Sequence, residues 1–369
     1  MMKPSPGIKI SRLILKIIIF LLLFNLICIL ITYFPIGKLS LYNKLFPGRP
    51  RMPFGENSSQ SFNLTLNNMD AMIASHEISK TSKNPETFRI FLIGDSSIWG
   101  FMQKPSDTLA GLLNKGIDFE CEGKPIEVIN FGYPSLSVLK DLFFIHRAID
   151  FEPDLFLWFV TLESLNNKDQ LATPLVQNNP AELIEVISEY GLKYDPKNYI
   201  FWDRTLVKQR RNFADLLRLQ IYGIMWAATG IDQELPETFT PALRDFDADL
   251  SYKNYIDQEI SAEDLALDVI EKTIDKITTT DLILINEPIL ISKGKNSEFR
   301  YNFYYPRWAY DQYREIINNF VRTEQIKYYD FWDLVPETNF TNSAIHLDIF
   351  GEELLAKEIR QIIEDHCAQ

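Results

Sequence analysis

The chain has 369 residues, 46% of them hydrophobic, enough for one large core or for one core carrying an inserted subdomain. Its formal charge of -13 argues against non-specific nucleic-acid binding, which needs a basic face. Three cysteines and no CxxC, HExxH or clustered Cys/His pattern argue against a zinc site, and no cofactor is expected.

Residues 17–34 are apolar apart from Asn25 and Thr32, long enough for a helix to span a bilayer. Lys3, Lys9, Arg12 and Lys16 precede the run, and no comparable basic cluster directly follows it. The positive-inside rule then predicts a cytoplasmic N-terminus (1–16), a membrane anchor (17–34) and an extracytoplasmic remainder. The alternative is a cleavable signal peptide, but no small-x-small site follows the run. Cys28 lacks the preceding small residue of a lipoprotein signal. With one cysteine inside the anchor, a disulfide framework is not expected, and nothing in the spacing asks for a Cys121–Cys367 bridge.

Residues 35–86 carry scattered prolines and a polar run, Asn57 to Ser61, and read as a juxtamembrane linker. An ordered domain is expected over 87–369. Its first strand is the apolar run ending at Ile93, followed by Gly94-Asp95-Ser96-Ser97. Ser106-Asp107-Thr108-Leu109 offers an N-cap and an acidic first turn for a helix to about Lys115. Residues 126–131 form a second strand ended by Gly132-Tyr133-Pro134-Ser135. Residues 137–151 have helical spacing, and 155–160 is a third buried strand. Continuous apolar strands alternating with helices imply a parallel sheet covered on both faces.

Residues 165–260 show no convincing strand of that sheet and read as a helical insertion after the third strand. Within it, 213–229 is a strongly apolar helix candidate, and 233–249 is acidic and proline-punctuated. The α/β pattern resumes with a helix (262–277), a strand (282–285) ended by Asn286-Glu287-Pro288, a helix (307–322), a strand (326–331) and a last helix (350–363). The expected fold is a flavodoxin-like three-layer α/β sandwich with a five-stranded parallel sheet.

A hydroxyl residue in a tight turn at the C-terminal end of a first parallel strand is where open α/β sheets place their chemistry. Ser96 holds that position. A serine hydroxyl needs a base to take its proton. Of the four histidines, His76 lies in the linker, His146 within a helix and His366 at the C-terminus. Only His346 sits in a loop between the last strand and the last helix, from which it can return to the sheet edge beside Ser96.

Three segments resemble blocks of the SGNH/GDSL hydrolase superfamily: FLIGDSSIWG at 91–100, VINFGYPSLS at 128–137 and AIHLDIFGEELLA at 344–356. The resemblance implies Ser96 as nucleophile, His346 as general base, and backbone N–H groups of Ser96 and Ser135 as oxyanion donors. With the anchor, it is most similar to the membrane-anchored polysaccharide-modifying branch, which includes alginate O-acetyltransferase partners and the D-alanyl-transfer protein of teichoic acids. That branch implies an extracytoplasmic glycan or acyl-ester substrate and a multi-pass membrane acyltransferase as partner.

Three departures stand out. Ser135 occupies a position usually held by Gly. Thr161-Leu162-Glu163-Ser164 replaces the Gly-x-Asn-Asp block, which sets Glu163 where an oxyanion donor is expected, unless Asn166 or Asn167 takes over. The acid usual three residues before the histidine is Ser343, with Asn342 beside it; Asp330, Asp333 and Asp348 are the candidate substitutes. The aromatic run 301–310 suits stacking on sugar rings through Tyr305 and Trp308, with Arg307 for an anionic group, or else packing over the sheet. The expectation is an esterase or O-acyltransferase; the alternative is a degenerate member that binds glycan or scaffolds an envelope complex.

Overall fold

The computed structural model describes residues 10–31, 86–195 and 239–368, and outside these Leu45, Met69, Ile73, His76, Ile78, Leu217, 221–225 and 227–230. The linker expected over 35–86 lies almost wholly outside the described residues, as do 213–216, 218–220 and 226 of the helix expected over 213–229. The rest of that helix, Leu217, 221–225 and 227–229, is helical.

The N-terminal helix α1 spans Ile10–Ile31 and begins earlier than the expected 17–34 segment, so Arg12 and Lys16 lie within it. Residues 10–24, 26 and 27 are exposed, and Asn25 is half-buried. By length and composition the helix is apolar enough to cross a membrane or to serve as a signal sequence.

Strand β1 (Phe88–Gly94) is buried at every position. A short helix, α2 (Ser96–Trp99), follows it directly, then α3 (Leu109–Gly116), capped by the Thr108 hydroxyl on the Gly111 N–H. Next come β2 (Glu120–Cys121), β3 (Lys124–Gly132), α4 (Val138–Ala148) and β4 (Leu155–Val160). Three short helices follow: α5 (Leu162–Leu165), α6 (Pro174–Asn178) and α7 (Pro180–Tyr190). The chain closes with α8 (Leu267–Lys276), β5 (Asp281–Asn286), α9 (Arg307–Thr323), β6 (Tyr328–Asp330) and α10 (Ile349–Cys367).

The sheet corrects the expectation of five parallel strands. It has six, in the order β2-β3-β1-β4-β5-β6, and it is mixed, because β2 pairs antiparallel with the start of β3. Two residues of strand leave no periodic signal in a sequence, which is why β2 was not expected. The other five strands are parallel.

Strand residues alternate between two buried faces. Phe91, Ile93, Phe156 and Trp158 pack with α4, α8 and α9. Ile90, Leu92, Leu157 and Ile283 pack with α3 and α10. The path leaves β1 for β3 on one side and crosses to β4 on the other, so the strand order reverses at β1. The crevice at the C-terminal ends of such strands is where open α/β sheets bind ligands.

Cys121 and Cys367 form a disulfide, for which the spacing gave no signal. The bridge joins β2 to the last turn of α10 across 246 residues of sequence. The two cysteines meet because the edge hairpin and the C-terminal helix share one face of the sheet, a relationship that tertiary packing alone creates.

Candidate active site

Strand β1 ends at Gly94, paired with Gly132 of β3. A Cβ on Gly132 would lie 2.6 Å from the Trp99 backbone nitrogen, and one on Gly94 would lie 2.7 Å from Ile98 Cγ1. Both glycines therefore let α2 sit directly against the strand ends. Asp95 caps that helix, its Oδ1 accepting from the Ser97 N–H at 2.7 Å. The turn holds Ser96 half-buried at the sheet edge.

His346 arrives from the loop before α10. Its main-chain carbonyl accepts from the Thr341 N–H at 2.9 Å, and the Leu290 N–H donates to Ala344 O at 2.7 Å, which pins the loop to the segment after β5. Gln103, from the segment after α2, donates to Leu347 O at 3.0 Å and to Glu352 Oε1 at 3.1 Å. The Phe101 ring stacks on the imidazole, with centroids 4.7 Å apart.

These elements set His346 Nε2 2.8 Å from Ser96 Oγ. The other ring nitrogen, Nδ1, lies 3.0 Å from Asn342 Oδ1. An amide oxygen only accepts, so Nδ1 carries the proton and Nε2 presents its lone pair to the Ser96 hydroxyl. Burial lowers the His346 pKa below 6.5, with the Asp95 charge opposing. The imidazole is thus neutral near pH 7, as a base must be.

The third member of the array is therefore Asn342, and none of the expected aspartates. Asp330 accepts from Arg314 at 2.7 Å and from Asn286 at 2.8 Å, and Asp348 caps α10. Ser343 is buried.

Ser135 has φ 89°, the left-handed conformation that glycine adopts freely. The backbone thus keeps the shape expected of the glycine it replaces, three residues past the Gly94–Gly132 pairing. Among the described residues no protein group takes the Ser96 or Ser135 N–H.

Glu163 is held by the insertion. Its Oε1 lies 2.7 Å from Lys253 Nζ, and its Oε2 accepts from the Tyr252 hydroxyl at 3.1 Å. Lys253 also pairs with Asp169 at 2.5 Å. The ammonium offsets the charge that an unpaired carboxylate would bring to this position. Neither asparagine replaces it: Asn166 is buried and accepts from the Lys168 N–H, and Asn167 bonds Glu263 O and the Tyr194 hydroxyl.

Of the two readings of the aromatic run, Tyr305 follows the packing one, and Arg307 and Trp308 are half-buried. Tyr305 is fully buried, its hydroxyl on Thr161 Oγ1 and the Glu163 N–H. Arg307 donates to Ser297 O and lies over the Tyr301 ring. Trp308 donates to Leu250 O of the insertion. Arg300 organises this loop by donating to five carbonyl oxygens, those of Asp249, Ser251, Asn302, Phe303 and Tyr304. Tyr304 is the exposed aromatic of the run.

Beneath the turn, Lys140 is fully buried and donates to Gly94 O at 2.7 Å and Tyr133 O at 2.8 Å. It pairs with Asp141 at 2.5 Å, which also accepts from the Trp158 indole at 3.0 Å. Glu287, also buried, accepts from the Ser97 hydroxyl at 2.5 Å. Sequence reasoning missed this group, although a charged residue closing an apolar strand is a visible signal.

No protein-family model matches the sequence, and no curated protein matches it. Similar solved structures include a lipase/acylhydrolase from Enterococcus faecalis, 14% identical, covering 76% of this chain and 96% of its own, with TM-score 0.39. A putative lipolytic protein of the G-D-S-L family from Desulfitobacterium hafniense is 13% identical, covering 74% and 98%, with TM-score 0.34. A carbohydrate acetylesterase family member from Sinorhizobium meliloti is 11% identical, covering 76% and 100%, with TM-score 0.33. Likeness at this level carries no argument about chemistry, which rests on the residues and distances above.

Proposed function

We propose that the chain is an SGNH-type serine enzyme acting on acyl esters, with Ser96 as nucleophile and His346 as general base. The observation that carries this reading is the relay from Ser96 Oγ through His346 to Asn342, at 2.8 and 3.0 Å. His346 Nε2 takes the hydroxyl proton as Ser96 Oγ attacks the acyl carbonyl. The resulting oxyanion accepts hydrogen bonds from the Ser96 and Ser135 N–H groups. The imidazolium returns the proton to the leaving alkoxide, giving an acyl-Ser96 intermediate. The acceptor hydroxyl, from water or a sugar, then gives its proton to His346 and takes the acyl group, and the imidazolium returns that proton to the departing Ser96 Oγ.

An extracytoplasmic, membrane-anchored setting is supported by the apolar helix α1, the basic residues before and within it, and a disulfide suited to an oxidising compartment. An envelope glycan as acceptor and a multi-pass membrane acyltransferase as partner rest on the sequence resemblance alone. The degenerate, scaffold-only reading is disfavoured by a base poised within hydrogen-bonding distance of its hydroxyl.

The test is hydrolysis of 4-nitrophenyl acetate by the full chain in detergent, beside Ser96→Ala and His346→Ala. The reading requires turnover that both substitutions reduce by about 1,000-fold or more. Equal turnover by the wild type and Ser96→Ala removes Ser96 from the chemistry.

A further inference from the structure

Two buried carboxyl groups face one another under the proposed nucleophile, and the mechanism above uses neither. Asp95, on the turn after β1, accepts the Ser97 N–H through Oδ1. Glu287, at the end of β5, accepts the Ser97 hydroxyl through Oε2, so the two carboxyl groups converge on Ser97. Its Oε1 is buried with no N–H or O–H donor from the described residues. The Glu287 N–H is fixed on Val160 O at 3.0 Å, so the side chain is anchored where β4 and β5 end.

We infer that Glu287 is a positioning residue that carries a proton, which it donates to Asp95 while accepting from Ser97, so that one neutral carboxyl locks both residues flanking Ser96. This rests on the reading of Ser96 as nucleophile. Two buried carboxylates that converge on one residue cannot both stay ionised away from water. The other charged and titratable groups facing Glu287 do not relieve it. Lys140 and Asp141, from α4, are paired with each other, and Asp141 adds negative charge; Tyr310, from α9, is a neutral phenol. Burial, then the Asp95 charge, accordingly raise the Glu287 carboxyl well above the usual carboxylate range. Losing the proton at high pH would put two anions across Ser97, push the turn apart and set a second negative charge near the developing oxyanion.

The experiment measures the rate of Ser96 modification by a fluorophosphonate against pH, for the full chain, Glu287→Gln and Glu287→Leu. It also compares the infrared carbonyl region of the wild type and Glu287→Gln. Gln keeps a donor for Asp95 and an acceptor for Ser97 but cannot ionise. Expected are a Glu287→Gln rate within about tenfold of wild type at neutral pH, an alkaline fall in the wild type that Gln removes, and an unchanged acid limb from His346. Glu287→Leu, which leaves Ser97 without its acceptor, falls by about 10- to 100-fold. The infrared difference shows a neutral carboxylic acid band in the wild type at neutral pH. Superimposable pH profiles, or no such band, overturn the inference. If the wild type is not modified at all, the nucleophile assignment fails and the positioning role fails with it, while the infrared arm still decides where the proton resides.

Discussion

Asn342 Oδ1 and His346 Nδ1 lie 3.0 Å apart, on the side of the imidazole away from Ser96. An amide fixes the tautomer and ring orientation as a carboxylate would, but it brings no charge to stabilise the imidazolium. This separates two roles that an aspartate combines, and each is measurable.

Removing the orienting bond with Asn342→Ala is expected to lower kcat/KM by about 10- to 100-fold. Asn342→Asp supplies charge in the same place. It favours the protonated imidazole and moves the acid limb of kcat/KM upward by about one pH unit. A pH–rate comparison of the three proteins checks both. An unchanged limb in Asn342→Asp means that position 342 does not face the titrating base.

The wild-type acid limb should lie below pH 6.5, because burial depresses the His346 pKa. The base form then persists at mildly acidic pH. Linkage gives the stability sign. With the folded pKa below the unfolded one, this histidine's contribution is fully present above the unfolded pKa and is lost as pH falls through the folded value. Denaturant midpoints measured downward from pH 7 should drop less in His346→Gln than in the wild type.

How much of this was legible beforehand follows from the range of each signal. The strands announced themselves because Ile90 to Ile93 and Leu155 to Val160 are buried on both faces and read as apolar runs. Ser96 and His346 were found from topology, since each stands at a strand or helix boundary that brings it to one sheet edge. Asn342 was passed over for aspartates because a charge was assumed where only an acceptor is needed. For Tyr305 and Trp308 the sequence left two readings open, because aromatic density looks the same in a sugar platform and in a cover over the sheet. The Cys121–Cys367 bridge and the Glu163–Lys253 pair join segments far apart in sequence, and no local pattern records such partners.

The Glu163–Lys253 pair makes its own prediction. Lys253→Met strips the ammonium from Glu163 and Asp169, leaving negative charge at the third-block position. Activity on a neutral ester should fall by about three- to tenfold, and adding Glu163→Gln should restore most of it. A double mutant no better than Lys253→Met alone shows that the lysine acts through something other than the Glu163 charge.

The disulfide closes nearly the whole domain. Replacing Cys121 and Cys367 by Ser should cost about 2–5 kcal/mol, read as a lower denaturant midpoint. The bridge lies one full length of α10, about 27 Å, from the His346 end of that helix. Ester turnover of the folded double-serine protein should therefore change by less than about threefold.

The central claim is that Ser96 is a nucleophile activated by His346. Covalent modification by a fluorophosphonate, located by mass spectrometry of the digested protein, tests it most directly. The account predicts one adduct, on Ser96, absent in Ser96→Ala and formed far more slowly in His346→Ala. No adduct on the wild type, or an adduct that persists in Ser96→Ala, would contradict it.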